Sequence, residues 1–156
     1  MDEIPILTRR RIEAAFAKEV YTEMKAELGE EQARRILSNA VIRMAKSAAA
    51  ELAGLAPEGR TSLDSFRAIL PLWTAEDALH IDVIKSTETE FHFNVTRCRY
   101  AEMYRSMDLA DLGGALSCNR DGAFCEGYDP RLKLKRSQTL MQGAPCCDFR
   151  YRYEDR

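Results

Sequence analysis

Leu79-His80-Ile81-Asp82-Val83-Ile84-Lys85-Ser86-Thr87-Glu88-Thr89-Glu90-Phe91-His92-Phe93-Asn94-Val95-Thr96-Arg97-Cys98 is the stretch in which this chain changes period. Before it, apolar residues recur three and four apart. Within it, Leu79, Ile81 and Val83 alternate with their neighbours, and Phe91, Phe93 and Val95 do the same. Ser86-Thr87-Glu88 reads as the turn between the two runs. Alternation places every second side chain on one face, so the stretch predicts a β-hairpin with one apolar side. Such a side must be buried against another layer.

The segments around the hairpin supply that layer. Upstream, Ile12, Ala15, Phe16, Val20 and Met24 sit at helical spacing over 8–28, with Gly29 as a stop. Glu30 and Glu31 then favour a new helix N-terminus, because acidic groups offset the positive end of the helix dipole. The second helix carries Ala33, Ile36, Leu37, Ala40, Val41, Met44, Ala48 and Leu52 on one stripe and ends near Gly54 and Pro57. Its alanines permit close approach, so the two helices are expected to pack on each other, on the sheet, or on a second copy as a homo-oligomer. Thr61 or Ser62 caps a short helix holding Leu63, Phe66, Ile69 and Leu70, which Pro71 ends or kinks. Downstream, 100–107 returns to helical spacing, and 109–126 reads as a further helix entered through Asp108 or Asp111. Leu132 and Leu134 begin a third strand running to about Met141. Gly143 and Pro145 mark a turn, and Cys147, Phe149, Tyr151 and Tyr153 alternate as a last strand. The expectation is a single α+β domain over 1–156, mainly helical over 1–73 and mixed over 74–156. Its N-terminal helices cover one face of a roughly four-stranded antiparallel sheet, with strands near 78–85, 89–98, 131–141 and 147–153.

The bulk properties remove several function classes. With 156 residues and a formal net charge of −2, the chain suits one domain and lacks the basic surface of a nucleic-acid binder. Arg9-Arg10-Arg11 reads as a solvated helix face. No apolar run approaches the roughly 20 residues of a membrane span. Met1-Asp2-Glu3 is acidic and opens no apolar stretch, so no secretory leader is expected. An odd number of cysteines, five, then points to reduced thiols in the cytoplasm.

Four of those five cysteines fall in two polar stretches near the C-terminal end. One is Ser117-Cys118-Asn119-Arg120-Asp121 through Cys125; the other is Pro145-Cys146-Cys147-Asp148-Phe149-Arg150. A thiol beside Arg and Asp is where a nucleophile or a metal ligand becomes possible. On a helix, Cys118, Asp121 and Cys125 share one face at spacings of three, four and seven. Gly113, Gly114 and Gly122 are costly in a helix interior and point to a close approach by another element or a ligand. On the last strand Cys147 and Phe149 face one way, Asp148 and Arg150 the other. The plainer reading of a cysteine, as a small buried hydrophobe, suits Cys125 and Cys146 best. His80 and His92 read as packing or surface residues. The chain has no paired Cys-x-x-Cys units and no His-x-x-x-His, so a dedicated zinc site has weak support, although the fold could gather Cys98, Cys118 and Cys147 around a divalent metal. No Gly-rich phosphate loop is present, and no motif requires a cofactor.

Five blocks taken together resemble a known family. They are Phe93-Asn94-Val95-Thr96-Arg97-Cys98-Arg99-Tyr100-Ala101; Cys118 with Asp121; Gly127-Tyr128-Asp129-Pro130-Arg131; Gln138-Thr139-Leu140-Met141-Gln142-Gly143; and Cys147-Asp148-Phe149-Arg150-Tyr151. Their order and spacing are similar to those of the L-2-amino-thiazoline-4-carboxylic acid hydrolase family. Where many members would carry His, this chain has Cys146, which speaks against a His-assisted step there. The resemblance implies hydrolysis at a carbon–nitrogen, non-peptide centre of a small cyclic amidine. Water adds at the carbon between ring sulfur and ring nitrogen, and expulsion of the thiolate gives a carbamoyl-cysteine. It implies catalytic roles among Cys118, Asp121, Cys147 and Asp148, with Cys118 or Cys147 as nucleophile or as ligand of a water-activating metal. Arg97 would hold the substrate carboxylate, with Asn94, Asn119 and Gln138 as further binding residues. A second pattern, Gly143-x-x-x-Cys147-x-Phe149, is similar to the vinyl-reductase-type small-molecule-binding domain, which senses ligands without catalysis. That gives the alternative reading, a binding or regulatory module.

Overall fold

The computed structural model describes residues 4–154; residues 1–3, on which the leader expectation rests, lie outside the described residues. Helix α1 spans Ile6–Leu28 and α2 Glu30–Gly54, broken at Gly29, whose φ of 85° suits glycine. Ser62 caps α3 (Leu63–Ile69) through a reciprocal capping box with Ser65. Pro71 does not simply end that helix: it takes the first position of a short α4 (Pro71–Thr74), where its missing N–H costs nothing.

The hairpin is present as β1 (Leu79–Ser86) and β2 (Glu90–Cys98). Helix α5 (Arg99–Ser106) follows, and α6 (Asn119–Tyr128) is entered through a π-helical turn at Gly114–Cys118. Strands β3 (Leu132–Lys135) and β4 (Cys147–Tyr153) complete an antiparallel sheet in the order β1-β2-β4-β3. The fold is therefore α+β, with the N-terminal helices packed on the sheet side that the apolar alternation marks. No helix among the described residues is long and apolar enough to cross a membrane.

Two expected elements differ. The third strand stops at Lys135, because the Asp148 carboxylate captures the N–H groups of Ser137 and Gln138, both at 2.9 Å. The chain then turns through Leu140–Gln142 to Gly143 at φ 92°. The helix expected over 109–126 is not continuous either. Asp108 adopts φ 60°, and the π turn inserts an extra residue just before α6.

The interior has two parts. Phe91, Phe93 and Val95 of β2 and Cys147, Phe149 and Tyr151 of β4 meet Phe66, Phe124, Tyr128 and Ala49 in an aromatic core. Ala14, Tyr21, Ala33 and Leu37 meet Tyr100, Met103, Tyr104 and Leu116 in a second. Leu79 and Cys98 pack against both. Ala14 of α1 and Ala33, Ala45 and Ala49 of α2 are buried within the chain, whereas Ala40 and Ala48 of the expected stripe are exposed. Helices α2 and α6 run the same way. Asn119 donates to Ser38 at 3.0 Å near one end, and Gly127 lies against the Lys46 backbone near the other. Asp129, just past α6, accepts from Thr61 at 2.6 Å, from Tyr153, and from the Arg131 side chain, tying α6 to β4 and to the loop before α3.

A Cβ at Gly127 would stand 2.6 Å from the Lys46 carbonyl oxygen and 2.8 Å from its Cα. Gly127→Ala should therefore destabilise the protein by about 1–3 kcal/mol, as overpacking against backbone does. Gly54→Ala, with nothing within 4 Å, should be neutral or slightly stabilising. Thermal melts of the two variants check the contrast.

Candidate functional site

Between the two α2–α6 contacts lies a cleft of about 470 Å³. Ile42 and Lys46 of α2 form one wall, Cys118, Asn119, Gly122, Ala123 and Glu126 of the π turn and α6 the other, and Leu134 and Arg136 the floor at the end of β3. Cys118 ends the π turn, and its thiol lines the cleft. Insertions of this kind interrupt a helix and recur at functional sites.

Arg136 organises the floor. It bonds Asp121 at 2.5 Å and donates to the Cys118 carbonyl at 3.0 Å, and its guanidinium lies 5.0 Å from the centre of the Phe149 ring. Above it, Lys46 pairs with Glu126 at 2.5 Å. A third of the Asp121 side chain is accessible, yet its carboxyl is sufficiently enclosed that burial raises its pKa; Arg136 opposes the rise, with help from Arg120 and Arg10. Burial pushes the Cys118 thiol up to about 12, Asp121 adds to that, and Arg136 works against it.

Of the other thiols, Cys147 is buried and Cys98 half-buried. Cys147, on the inner face of β4, accepts from the Leu140 N–H at 3.1 Å and is raised by burial. Cys98 accepts from the Ala101 N–H at 3.4 Å at the start of α5, and burial lifts it to about 11. The three thiols lie near enough that each ionised form disfavours ionisation of another. They are not a ligand set: among the described residues, no three His, Cys, Asp or Glu side chains are placed to hold a metal ion. Cys125 is buried in the aromatic core, and Cys146 accepts from Gln138 at 3.3 Å.

Of the residues singled out from the sequence, Cys118 and Asn119 line the cleft, Asp121 lies beside it on Arg136, and Cys147 stands behind. The rest are elsewhere. Arg97 is exposed and held by two bonds to Glu102 at 2.8 and 3.2 Å. The cause is a bulge: His80 pairs with Arg97 but Ile81 with Val95, so Thr96 is extra and the inward phase of β2 ends. Asn94, which accepts from Arg150 at 2.9 Å, and Asp148 pair across the outer face of the sheet. Gln138 is occupied with Cys146. Arg120, next to Asp121 in sequence, reaches Glu13 at 3.1 Å. Sequence reasoning missed Arg136 and Lys46. Arg136 had a signal, since Leu132, Leu134 and Arg136 occupy one phase of the strand, and a charge on an apolar phase is an anomaly. Lys46 had none.

The family model for L-2-amino-thiazoline-4-carboxylic acid hydrolase matches residues 9–151. No curated protein matches the sequence. Among solved structures, the phenol-responsive sensory domain of the transcription activator PoxR with phenol is similar at TM-score 0.58 and 14% identity, over 98% of this chain and 77% of that one. A trafficking protein particle complex subunit 3 from Naegleria fowleri, covalently bound to palmitic acid, is similar at TM-score 0.54 and 12% identity, over 95% of this chain and 96% of that one. At these identities the likeness is one of fold.

A thiol with a pKa of about 12 holds roughly one part in 10⁵ as thiolate at pH 7. Iodoacetamide should therefore modify Cys118 slowly at neutral pH, with a rate rising about tenfold per pH unit up to the pKa. Arg136→Met should slow the reaction further, since the charge that favours the thiolate is gone. Mass spectrometry of the Cys118 peptide reads both effects, and complete labelling within minutes at pH 7 would contradict the environment described.

Proposed function

The chain belongs to the L-2-amino-thiazoline-4-carboxylic acid hydrolase family, and from that premise we propose that it opens a small, carboxylated cyclic amidine in the α2–α6 cleft. The observation that carries the reading is that a thiol, Cys118, and a cation, Arg136, line the same cleft while Arg136 also holds a carboxylate, Asp121. Lys46 and Arg136 attract the substrate carboxylate, the part assigned to Arg97 by resemblance, because charge-assisted bonds to carboxylates are the stronger kind. Asp121 accepts a proton from water as the water oxygen bonds to the amidine carbon, the C=N π pair moves to the ring nitrogen, and Asp121 passes the proton there. A carboxyl raised above its ordinary range is a better base for that step than an unperturbed one. Asp121 then takes the proton of the new hydroxyl as the carbonyl forms and the carbon–sulfur bond breaks, the electron pair leaves on sulfur, and Asp121 delivers that proton to it. Cys118, protonated at neutral pH, packs against the ring and donates a hydrogen bond. A metal is not needed for this route.

The test is incubation with 2-amino-thiazoline-4-carboxylate and close analogues, followed by loss of ring absorbance. Asp121→Asn keeps an acceptor for Arg136 and should lower kcat by about 10²-fold or more, the usual worth of a positioned base. Lys46→Ala should raise KM about tenfold, equivalent to ~1.4 kcal/mol of carboxylate binding. Arg97→Ala, remote from the cleft, should leave both constants within about twofold. Wild-type rates in Asp121→Asn would remove the carboxylate from the chemistry.

A second reading, a ligand-binding module without turnover, is favoured by the fold likeness to a phenol-responsive sensory domain and by the protonated state of Cys118. Cyclic amidines that raise Tm without being consumed would replace the hydrolase reading with this one.

A further inference from the structure

The outward side of α1 carries an ordered stripe that no described residue covers. Arg9, Ile12, Phe16, Val20 and Glu23 follow one another at spacings of three and four and are all exposed; Phe16 is 74% accessible and Ile12 58%. Contiguous apolar surface of this kind marks an interaction site more often than it marks plain surface. On the same helical hairpin, α2 adds Ile36 and Met44, also exposed. Among the described residues, the ion pairs of α1 use Arg10, Glu13 and Lys25 and not Arg9 or Glu23.

The order of the stripe identifies its occupant. Outward from Phe16, an aliphatic residue comes first on each side and then a charge, positive toward the N-terminus and negative toward the C-terminus. An antiparallel copy centred on Phe16 sets Ile12 against Val20 and Arg9 against Glu23, and a twofold axis repeats both pairs. A parallel copy would set Arg9 against Arg9. Self-complementarity is what an isologous dimer requires, since residue i must meet j while j meets i. The 23 residues of α1 make a helix about 35 Å long.

We propose that this chain forms a twofold homodimer through α1, with Phe16 on the axis and Arg9 paired to Glu23 of the second copy. The contact surface lies apart from Ala14, Ala33, Ala45 and Ala49, which are buried inside the monomer. Sedimentation velocity of the full chain, from about 1 to about 100 µM, tests it. The wild type should sediment at twice the chain mass. Phe16→Glu, at an exposed site, should raise the dissociation constant by about 100-fold or more, as loss of a central aromatic does. Arg9→Glu and Glu23→Arg should each weaken the dimer by about fivefold, and the two together should restore it to within about threefold of wild type, because the pair is rebuilt with its sign exchanged. Circular dichroism confirms that each variant is folded. A wild type that stays monomeric at the highest concentration, a Phe16→Glu protein that still dimerises as tightly, or a double exchange that fails to recover would each overturn the proposal.

Discussion

A guanidinium held where three elements meet is the constraint around which this protein is arranged. Arg136 follows β3, bonds Asp121 and the Cys118 carbonyl of the opposing helical segment, and lies over the Phe149 ring of β4. Removing a full charge from water costs several kcal/mol unless the protein replaces what the water supplied. Here a carboxylate, a carbonyl oxygen and an aromatic face do so. The compensation is mutual: Asp121 depends on Arg136 to oppose the effect of burial, and the π turn that positions Cys118 is tied down through its own carbonyl. The end of the sheet, the entry to α6 and the floor of the cleft are one electrostatic unit.

The cleft lies along the contact of α2 with α6, where the end of β3 closes it from below. Gly127 lets the backbones approach until a side chain would collide, and the Asn119–Ser38 hydrogen bond closes the other end. Gly122 and Ala123 of the α6 wall present little bulk, and a Cβ at Gly122 would meet nothing within 4 Å, so space remains for a small molecule. The walls bear Lys46, Glu126 and Arg136, and the single thiol that reaches the opening is Cys118. Its neighbours Cys98 and Cys147 belong to the packed interior. Burial raises the pKa of both before anything else, as it does for Cys118.

The fold was largely legible in order along the chain. Periodicity is a local property, and the hairpin, the long helices, the Ser62 cap and the last strand all follow from it, because each depends on side chains only a few residues apart. The errors came where a distant partner intervened. Asp148 captured Ser137 and Gln138 and cut the third strand short. The added Thr96 turned Arg97 outward, although the alternation through Val95 would have sent it toward the interior.

The candidate site divides along the same line. From sequence alone came the residue types and one helical relation, Cys118 with Asp121, since a spacing of three on a helix needs no tertiary knowledge. Arg136 stood on the apolar phase of its strand as a legible anomaly. Tertiary structure alone decided that Arg136 reaches Asp121, that Lys46 of a helix seventy-odd residues upstream faces the same space, and that Arg97, Asn94 and Asp148 do not. The reason is physical. Which face of an element is apolar is written in its own residues, whereas which charges share a cleft depends on how elements are rotated and offset against each other, and here a bulge, a π turn and one glycine contact set those offsets.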